Sequence, residues 1–365
     1  MKLVAILACI LSFNASAKTL EFMSYNVENL FDANHDEGKL DWAYLPKSFK
    51  DKKKECKKVE SRKRREECLD TDWTSDKVKL KVNQIADVVL KDRGNPPEFM
   101  ALVEVENEAV VKQVADVLRY KGVAVTNSPD NRGVDVALLY NEDKGIKFVK
   151  KSEIVLNSDD FKSWPTRNIL EVEFLVDKKY PLTVFVNHWP SLGNPNIKRV
   201  KAAEFLRKRI QELQKANKDH YVIAVGDFNT IDSNHPHPFK DVLLKDGIMY
   251  DLHEEYKEDK KISWDVKNSQ PPGSYFFAPE MTWNVLDRIF LSPNLKDKKG
   301  LSVANDSYTI YAPNFITTSY EYKSRGKYLN GSKVVGVPKR YDHNASTTGE
   351  AGYSDHFPII FKIKY

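Results

Sequence analysis

The sequence has few of the residues that build zinc centres or disulfide-rich scaffolds. It contains three cysteines and eight histidines in 365 residues, without the His/Cys cluster that a zinc site requires. After the first seventeen residues, no apolar run is long enough to cross a membrane. The chain also shows no fixed-period repeat and no clean linker. These absences favour one large domain without a stable membrane anchor.

The N-terminus has the pattern of a signal peptide. Lys2 supplies a positive start, an apolar run follows from Leu3 to Phe13, and Ala15-Ser16-Ala17 is a small-residue cleavage pattern. We therefore expect residues 1–17 to be removed and residues 18–365 to form the mature domain. The protein is then exported, to the periplasm or the extracellular space.

Cleavage would remove Cys9 and leave Cys56 and Cys68. An even pair in an exported protein favours a disulfide over free thiols. Their separation is too great for neighbouring turns of one straight helix, so a bridge would need a bend or hairpin between them.

The charge balance is mildly basic, with a net charge of +5 and a pI of about 8.7. This balance is compatible with a polyanionic substrate. Many of the lysines lie in an insertion at about residues 46–72 that is almost without apolar residues. A solvated helix or mobile loop is the simpler interpretation, and a basic arm that contacts nucleic-acid phosphates is the alternative.

Hydrophobic periodicity predicts alternating strands and helices in the first two thirds of the chain. Val78, Val82, Ile85 and Val89 form one helical face, and Asn107 can cap a helix that runs to Tyr120. A third helix is predicted at 200–215. Strands are predicted at 20–26, 99–103, 134–140, 169–176, 182–187, 221–225, 287–292, 302–311 and 358–363. The polar stretch at about 312–350 is predicted to be a long loop, with room for an irregular hairpin.

Polar side chains follow or precede many of these strands. They are Asn26, Glu104, His188, Asp227, Asn229, Asp287, Asp355 and His356. One such residue alone is usually a turn former, but so many together indicate a site at the sheet edge. Oxygen ligands of this kind suit Mg²⁺, with Mn²⁺ or Ca²⁺ as alternatives. A hard cation together with two histidines is suited to the hydrolysis of a phosphate ester.

Six motifs in order resemble those of the endonuclease/exonuclease/phosphatase superfamily, in particular its deoxyribonuclease-I-like and exported bacterial nucleases. They are Tyr-Asn-Val-Glu-Asn-Leu-Phe at 25–31, Leu-Val-Glu-Val-Glu-Asn at 102–107, Val-Asn-His-Trp-Pro-Ser at 186–191, Gly-Asp-Phe-Asn at 226–229, Leu-Asp-Arg-Ile-Phe at 286–290 and Ser-Asp-His-Phe-Pro at 354–358. The resemblance implies an α/β fold: a four-layered α/β/β/α sandwich of two packed, mostly antiparallel sheets flanked by helices.

The resemblance also implies roles for individual residues. Metal ligands are expected at Asn26, Glu104 and Asp355. Catalytic roles are expected for His188, Asp227, Asn229, Asp287 and His356, with His356 as the base that activates water and Asp287 as its partner. Arg167 resembles an arginine that binds a substrate phosphate, and a surface salt bridge is the alternative. Asp135 is a candidate partner for His188, and a strand-edge carboxylate without such a role is the alternative.

Together these features predict a secreted, metal-dependent endonuclease that hydrolyses DNA, or RNA, with little sequence specificity. Sphingomyelinase-like or other phosphate-ester hydrolysis would use the same residues on another substrate. A non-catalytic nucleic-acid-binding protein is a third hypothesis, which the presence of both histidines disfavours. Oligomeric state is not encoded in these patterns.

Overall fold

The computed structural model describes residues 18–323 and 329–365, so the predicted signal peptide at 1–17 lies outside the described part. Two large β-sheets form the centre of the molecule. Strands and helices are numbered below in chain order.

The first sheet has the strand order β13-β17-β1-β2-β4-β3, and β14 also pairs with β17. Its strands are β1 (Thr19–Leu30), β2 (Phe99–Val105), β3 (Gly122–Val125), β4 (Asp135–Tyr140), β13 (Ser302–Val303), β14 (Thr309–Ile310) and β17 (Ile359–Lys364). Only the central pair, β1 and β2, is parallel.

The second sheet has the order β5-β6-β7-β8-β12-β9. Its strands are β5 (Ile146–Ile154), β6 (Ile169–Val176), β7 (Tyr180–His188), β8 (Tyr221–Asp227), β9 (Tyr250–Asp251) and β12 (Asp287–Leu291). Here too one central pair, β7 and β8, is parallel. Two hairpins stand apart: β10 (Tyr275–Phe277) with β11 (Thr282–Asn284), and β15 (Thr317–Glu321) with β16 (Lys333–Pro338).

The helices lie outside the sheets or in the connections. They are α1 (Lys52–Cys56), α2 (Arg62–Asp70), α3 (Ser75–Leu90), α4 (Glu108–Leu118), α5 (Asp159–Lys162), α6 (Asn196–Ala216), α7 (Leu252–Glu258), α8 (Trp264–Asn268) and α9 (Thr348–Ala351). Within the described residues, none of them is both long and apolar enough to cross a membrane.

Strict alternation along the strands builds the layers. In β8, Val222 and Ala224 pack under α6, whereas Ile223 and Val225 belong to the core between the sheets. Across that core, the rings of Phe99 in β2 and Phe174 in β6 lie 5.0 Å apart. With α3 and α4 against the first sheet, the order of layers is α/β/β/α. The predicted fold is confirmed.

The longer helices follow the predicted apolar faces. Val78, Val82, Ile85 and Val89 are all buried on α3. The Asn107 side chain caps α4 by accepting a hydrogen bond from Val110 N at 3.1 Å. That helix ends at Leu118, two residues before the predicted end.

Edge regions differ most from the prediction. The edge strand β5 was not predicted because its outward lysines and glutamates obscure the apolar alternation. The predicted strand at 302–311 is wrong as one element, since the chain there makes only the short β13 and β14. The polar stretch at 312–350 contains the hairpin of β15 and β16 among loops.

The insertion at 46–72 folds into α1 and α2, which are joined by a Cys56–Cys68 disulfide. The turn between the two short helices provides the bend that a separation of 12 residues demands.

Candidate active site

Three of the predicted side chains lie in one row across the second sheet. His188 ends β7 and is the register partner of Asp227, which ends β8. Asp287 begins β12 and pairs with Asp227 from the other side. Their positions continue the alternation of the residues that face the core between the sheets. The row therefore lies where that core meets the edge.

The first sheet supplies Glu104 from the end of β2. By alternation this side chain would share the face of Met100 and Leu102. A register shift between Val103 and Val105 and a φ of 65° at Glu104 interrupt that alternation. The irregularity turns the carboxylate toward Asn26 and the second sheet, as bulges beside functional sites commonly do.

Asn26 holds two carboxylates together. Its Nδ2 donates to Glu104 Oε1 and to Asp227 Oδ2, each at 3.2 Å, while its Oδ1 accepts from Glu28 N at 3.0 Å. One acceptor position of this oxygen is thus used by the backbone. In this arrangement the Asn26 amide positions both carboxylates, and its role as a metal ligand stays a prediction.

The group of side chains best placed for a divalent cation is Glu104, His188 and Asp227. One ligand atom from each lies within 4.8 Å of the others. His188 Nε2 is 3.7 Å from Glu104 Oε1 and 3.9 Å from Asp227 Oδ2. Two carboxylates so close together, the buried Asp227 and the half-buried Glu104, repel each other unless a proton or a cation lies between them, so the donor set fits a hard divalent ion.

Asp355, expected as a ligand, lies beside this group but outside it. Its Oδ2 is 3.3 Å from the Arg340 guanidinium, and its Oδ1 is 4.0 Å from His356 Nε2. Burial and the nearby Glu28 raise the pKa of Asp355 to about 7, against the opposing effect of His356 and Arg340. Asp355 thus belongs to an ion-pair network beside Glu104, His188 and Asp227.

His356 is paired with Asp287, as expected. Its Nδ1 lies 2.7 Å from Asp287 Oδ2, and its backbone N donates to Ser354 Oγ, which in turn donates to the carbonyl of Asn26. Burial lowers the pKa of His356, but the carboxylates of Asp287, Asp355 and Asp227 outweigh burial and raise it well above its usual range. Nε2 is left facing Asp227 at 4.0 Å.

His188 has the opposite electrostatic environment. Burial, with the positive charges of Arg167 and Arg132, holds its pKa well below the usual range, so the imidazole is neutral near pH 7. The predicted pairing with Asp135 is wrong. Asp135 instead accepts from the Thr126 hydroxyl and from Ser128, and His188 Nδ1 has no hydrogen-bond partner among the described residues.

Arg167 is buried and lines the same cavity as His188 and Asp227. Its Nε and Nη2 donate to the carbonyls of His188 and Trp189, at 3.2 and 2.7 Å, and Nη1 donates to Asp130 at 3.4 Å. Through these hydrogen bonds Arg167 supports the backbone that carries His188. Because Arg167 also lines the cavity of the site, its contact with a substrate phosphate stays a prediction.

Asn229 completes the predicted set. Its backbone N donates to Asp227 Oδ1 at 2.9 Å, and its Nδ2 donates to the carbonyl of Trp189 at 3.2 Å. A φ of 46° at Asn229 turns the chain back toward the site, so this residue fixes the orientation of the Asp227 carboxylate.

A cleft of about 500 Å³ is lined by seven of the predicted side chains, which are Glu104, Arg167, His188, Asp227, Asn229, Asp355 and His356. Arg64, Arg132 and Lys198 also line it, together with Trp164 and Tyr275. None of these five was predicted, because their surroundings in the sequence are loops and the charged insertion. The ring of Tyr275 packs against that of His356, with 4.8 Å between the ring centroids. The side chain of Arg132 is 47% exposed and is thus accessible to a ligand.

Comparison with known proteins places the chain in one family. The endonuclease/exonuclease/phosphatase family matches residues 64–365. A comparison with curated protein sequences found no match.

Solved structures with a similar fold cover nearly the whole chain. A mannosyl-6-phosphatase from Bacteroides thetaiotaomicron has a TM-score of 0.51 at 16% identity, over 95% of this chain and 100% of that one. The human nocturnin catalytic domain has a TM-score of 0.53 at 15% identity, covering 95% and 97%. TDP2 from D. rerio, in complex with a single-stranded DNA product, has 0.52 at 15% identity, covering 95% and 99%.

At these identities the likeness concerns the fold. One of these structures is a mannosyl-6-phosphatase, and another holds a single-stranded DNA product. The match over residues 64–365, together with the paired carboxylates and histidines described above, gives the assignment: this chain belongs to the endonuclease/exonuclease/phosphatase family, whose members are phosphoesterase hydrolases.

Proposed function

We propose that the protein is a divalent-metal-dependent phosphodiesterase that cleaves nucleic acid with little sequence specificity, and that DNA is its main substrate. The observation that carries this proposal is the composition of the cleft. Next to the buried acid and histidine residues it presents Arg64, Arg132 and Lys198 with Trp164 and Tyr275. Cations that meet phosphates and aromatic rings that meet bases are the two elements of strand binding.

In this proposal His356 is the base, acting in its unprotonated form, which its raised pKa places at higher pH. Nε2 takes a proton from the attacking water, the water oxygen bonds to phosphorus, and the bond from phosphorus to the leaving oxygen breaks. Asp287, at 2.7 Å, fixes the tautomer and stabilises the imidazolium that forms. The neutral His188 offers a hydrogen bond to a phosphate oxygen, and a proton from solvent completes the leaving hydroxyl.

A divalent cation held by Glu104 and Asp227 would offset the negative charge of the phosphate during this reaction. Mg²⁺ is the ion we propose, with Mn²⁺ or Ca²⁺ as substitutes, because the donors include two carboxylates. Asn26 keeps both carboxylates in place for it.

A lipid substrate receives less support. A lipid-directed enzyme would expose an aromatic hairpin for membrane insertion, but the aromatic run Tyr275-Phe276-Phe277 is strand β10, with Phe276 buried and Tyr275 packed against His356. No exposed apolar hairpin is formed by these residues. A sugar phosphate has a single phosphate and no base, so it would leave cationic and aromatic residues of the cleft, such as Arg64 and Trp164, without a partner.

The test is a substrate panel with purified protein of residues 18–365. Supercoiled and linear DNA, RNA, mannose 6-phosphate and sphingomyelin vesicles are incubated with Mg²⁺, Mn²⁺, Ca²⁺ or EDTA. We expect metal-dependent cleavage of DNA that exceeds turnover of the sugar phosphate and the lipid. Hydrolysis of one of those two, with nucleic acids intact, would overturn the nuclease proposal and leave the phosphoesterase assignment.

We also propose export through the N-terminal segment 1–17, to the periplasm or the medium, with residues 18–365 as one mature domain. The Cys56–Cys68 disulfide supports this proposal because such bonds persist in oxidising compartments. Sequencing the N-terminus of the protein from fractionated cells tests it. A chain that starts at Lys18 outside the cytoplasm is expected, and an uncleaved cytoplasmic chain would contradict it.

A further inference from the structure

The insertion at residues 46–72, called the basic arm from here on, is more ordered than its composition suggests. It contains α1 and α2, the disulfide between them and the connecting turn. Eleven lysines and arginines against seven aspartates and glutamates give it a net charge of +4 out of +5 for the whole chain. Most of the net positive charge of the protein thus lies in this one segment.

A buried lysine anchors the basic arm. Lys52 is 2% exposed, and its Nζ donates to the carbonyls of Leu45 and Thr71 at 2.5 and 2.7 Å, and to that of Ala43 at 3.3 Å. Because Leu45 and Thr71 lie near the two ends of the basic arm, one ammonium group ties both ends together. With the disulfide, this contact holds α2 in a defined place without an apolar core.

On α2 the cations differ in how they are engaged. Arg62 pairs with Glu66 at 2.8 Å, Lys63 with Glu67 at 3.8 Å, and Arg65 donates to the Val59 carbonyl at 2.9 Å. Arg64 is exposed, makes no ion pair within the described part of the chain, and lines the catalytic cleft. It is therefore the cation of α2 that is available to a ligand there.

The chain just before the basic arm is joined to the loop that carries Arg132. Lys39 Nζ donates to the carbonyls of Ser128 and Asp130 at 2.9 and 2.8 Å, and Leu40 N donates to that of Asn131 at 2.7 Å. Arg132 also lines the cleft. The two arginines thus line one cleft, and the segment that leads into the basic arm is fixed to the loop of Arg132.

We propose that the basic arm is a second phosphate-binding site for a nucleic-acid strand, in which Arg64 contacts a backbone phosphate next to the one that is cut. The inference rests on the proposed function, since it concerns the same cleft. It selects substrates with at least two phosphates on a continuous strand. A small diester with a single phosphate reaches the catalytic residues but has nothing to offer Arg64.

The test compares Arg64→Ala with Lys63→Ala, which removes the same charge from the neighbouring, Glu67-paired position. Binding of a fluorescent 20-nucleotide single strand is followed by anisotropy in EDTA between 50 and 300 mM salt. One lost phosphate contact lowers the salt slope by about 0.7, which is about fivefold in affinity at 0.1 M. We expect this change for Arg64→Ala and less than half of it for Lys63→Ala.

Cleavage is then measured on long DNA and on bis(p-nitrophenyl) phosphate. Arg64→Ala should lower kcat/KM about fivefold on DNA and leave the small diester unchanged. If the two variants bind and cleave equally well while the wild type is active, the role of Arg64 is overturned and the proposed function is not. A wild type that neither binds nor cuts nucleic acid would overturn both this inference and the proposed function.

Discussion

His356 Nδ1 lies 2.7 Å from Asp287 Oδ2. Asp287 is the first residue of the buried strand β12. Asp287 is itself fully buried, and its backbone N donates to Ser274 Oγ at 3.2 Å. The pair is therefore rigid, and it leaves Nε2 of the imidazole as the atom that faces the cleft. This geometry makes His356 the best-placed base of the site and has consequences for pH dependence.

Asp287→Asn should slow cleavage and shift its pH profile. The carboxylate stabilises the imidazolium, so its loss lowers the pKa of His356 and moves the acid limb of the profile to lower pH. Loss of the correct tautomer lowers kcat by about 10²- to 10⁴-fold. Steady-state rates from pH 5 to 9 measure both effects. An unchanged acid limb would contradict the assignment of His356 as the base.

Metal binding should strengthen as pH rises through neutrality. Burial, aided by Asp287 against the opposing His356, raises the pKa of Asp227 to about 7. A protonated carboxyl must release its proton before it can bind a cation. Affinity for Mn²⁺, measured by titration calorimetry, should therefore increase about tenfold per pH unit below about 7 and level off above it. A flat profile from pH 5.5 to 8, or Asp227→Asn binding as tightly as the wild type, would argue against this site.

Trp164 should contribute to binding of bases near the scissile phosphate. It is 49% exposed and lines the cleft, and base stacking on an aromatic ring is worth about 1–3 kcal/mol. Trp164→Ala should lower kcat/KM on DNA at least about fivefold, with recovery in Trp164→Phe and little change on a small diester. Trp264→Ala, at a 76% exposed position outside the cleft, is the control. Equal losses in the two alanine variants would contradict stacking.

Loss of the disulfide should loosen the basic arm and spare the rest of the molecule. A loop of this length is worth about 3 kcal/mol in the chain-entropy description. In Cys56→Ser/Cys68→Ser, trypsin should therefore cut within 46–72 much faster than in the oxidised wild type, while thermal unfolding of the remainder stays nearly unchanged. Equal protection of the basic arm in both proteins would show that Lys52 alone holds it.

Much of the site could be predicted because strands deliver their terminal residues to a common edge. Asp227, Asp287 and His188 share one row through register alone, and the motif around His356 is local in sequence. The central strands were equally accessible, since their apolar residues alternate or run continuously. For these elements, periodicity and motif order contain the information that the fold uses.

Other features depend on contacts between distant segments. The direction of the Asn26 amide is decided by Glu104 and Asp227, which lie 78 and 201 residues farther along the chain. Arg167 was predicted to contact a phosphate, and the structure adds that it supports the backbone at the end of β7. Arg340 reaches the site from a polar stretch without periodicity. Side-chain partners of this kind are set by tertiary packing, which a single sequence does not display.

Nicking of supercoiled plasmid tests most directly whether the protein is a metal-dependent nuclease in which His356 takes part in the reaction. Wild type with Mg²⁺, Mn²⁺ or Ca²⁺ should convert plasmid to open circles, and EDTA should stop the reaction. His356→Ala should lose at least about 10²-fold in rate, while His235→Ala, at an exposed position outside the cleft, should keep it. Plasmid that stays supercoiled with every metal, or a His356→Ala protein that nicks as fast as the wild type, would contradict the claim.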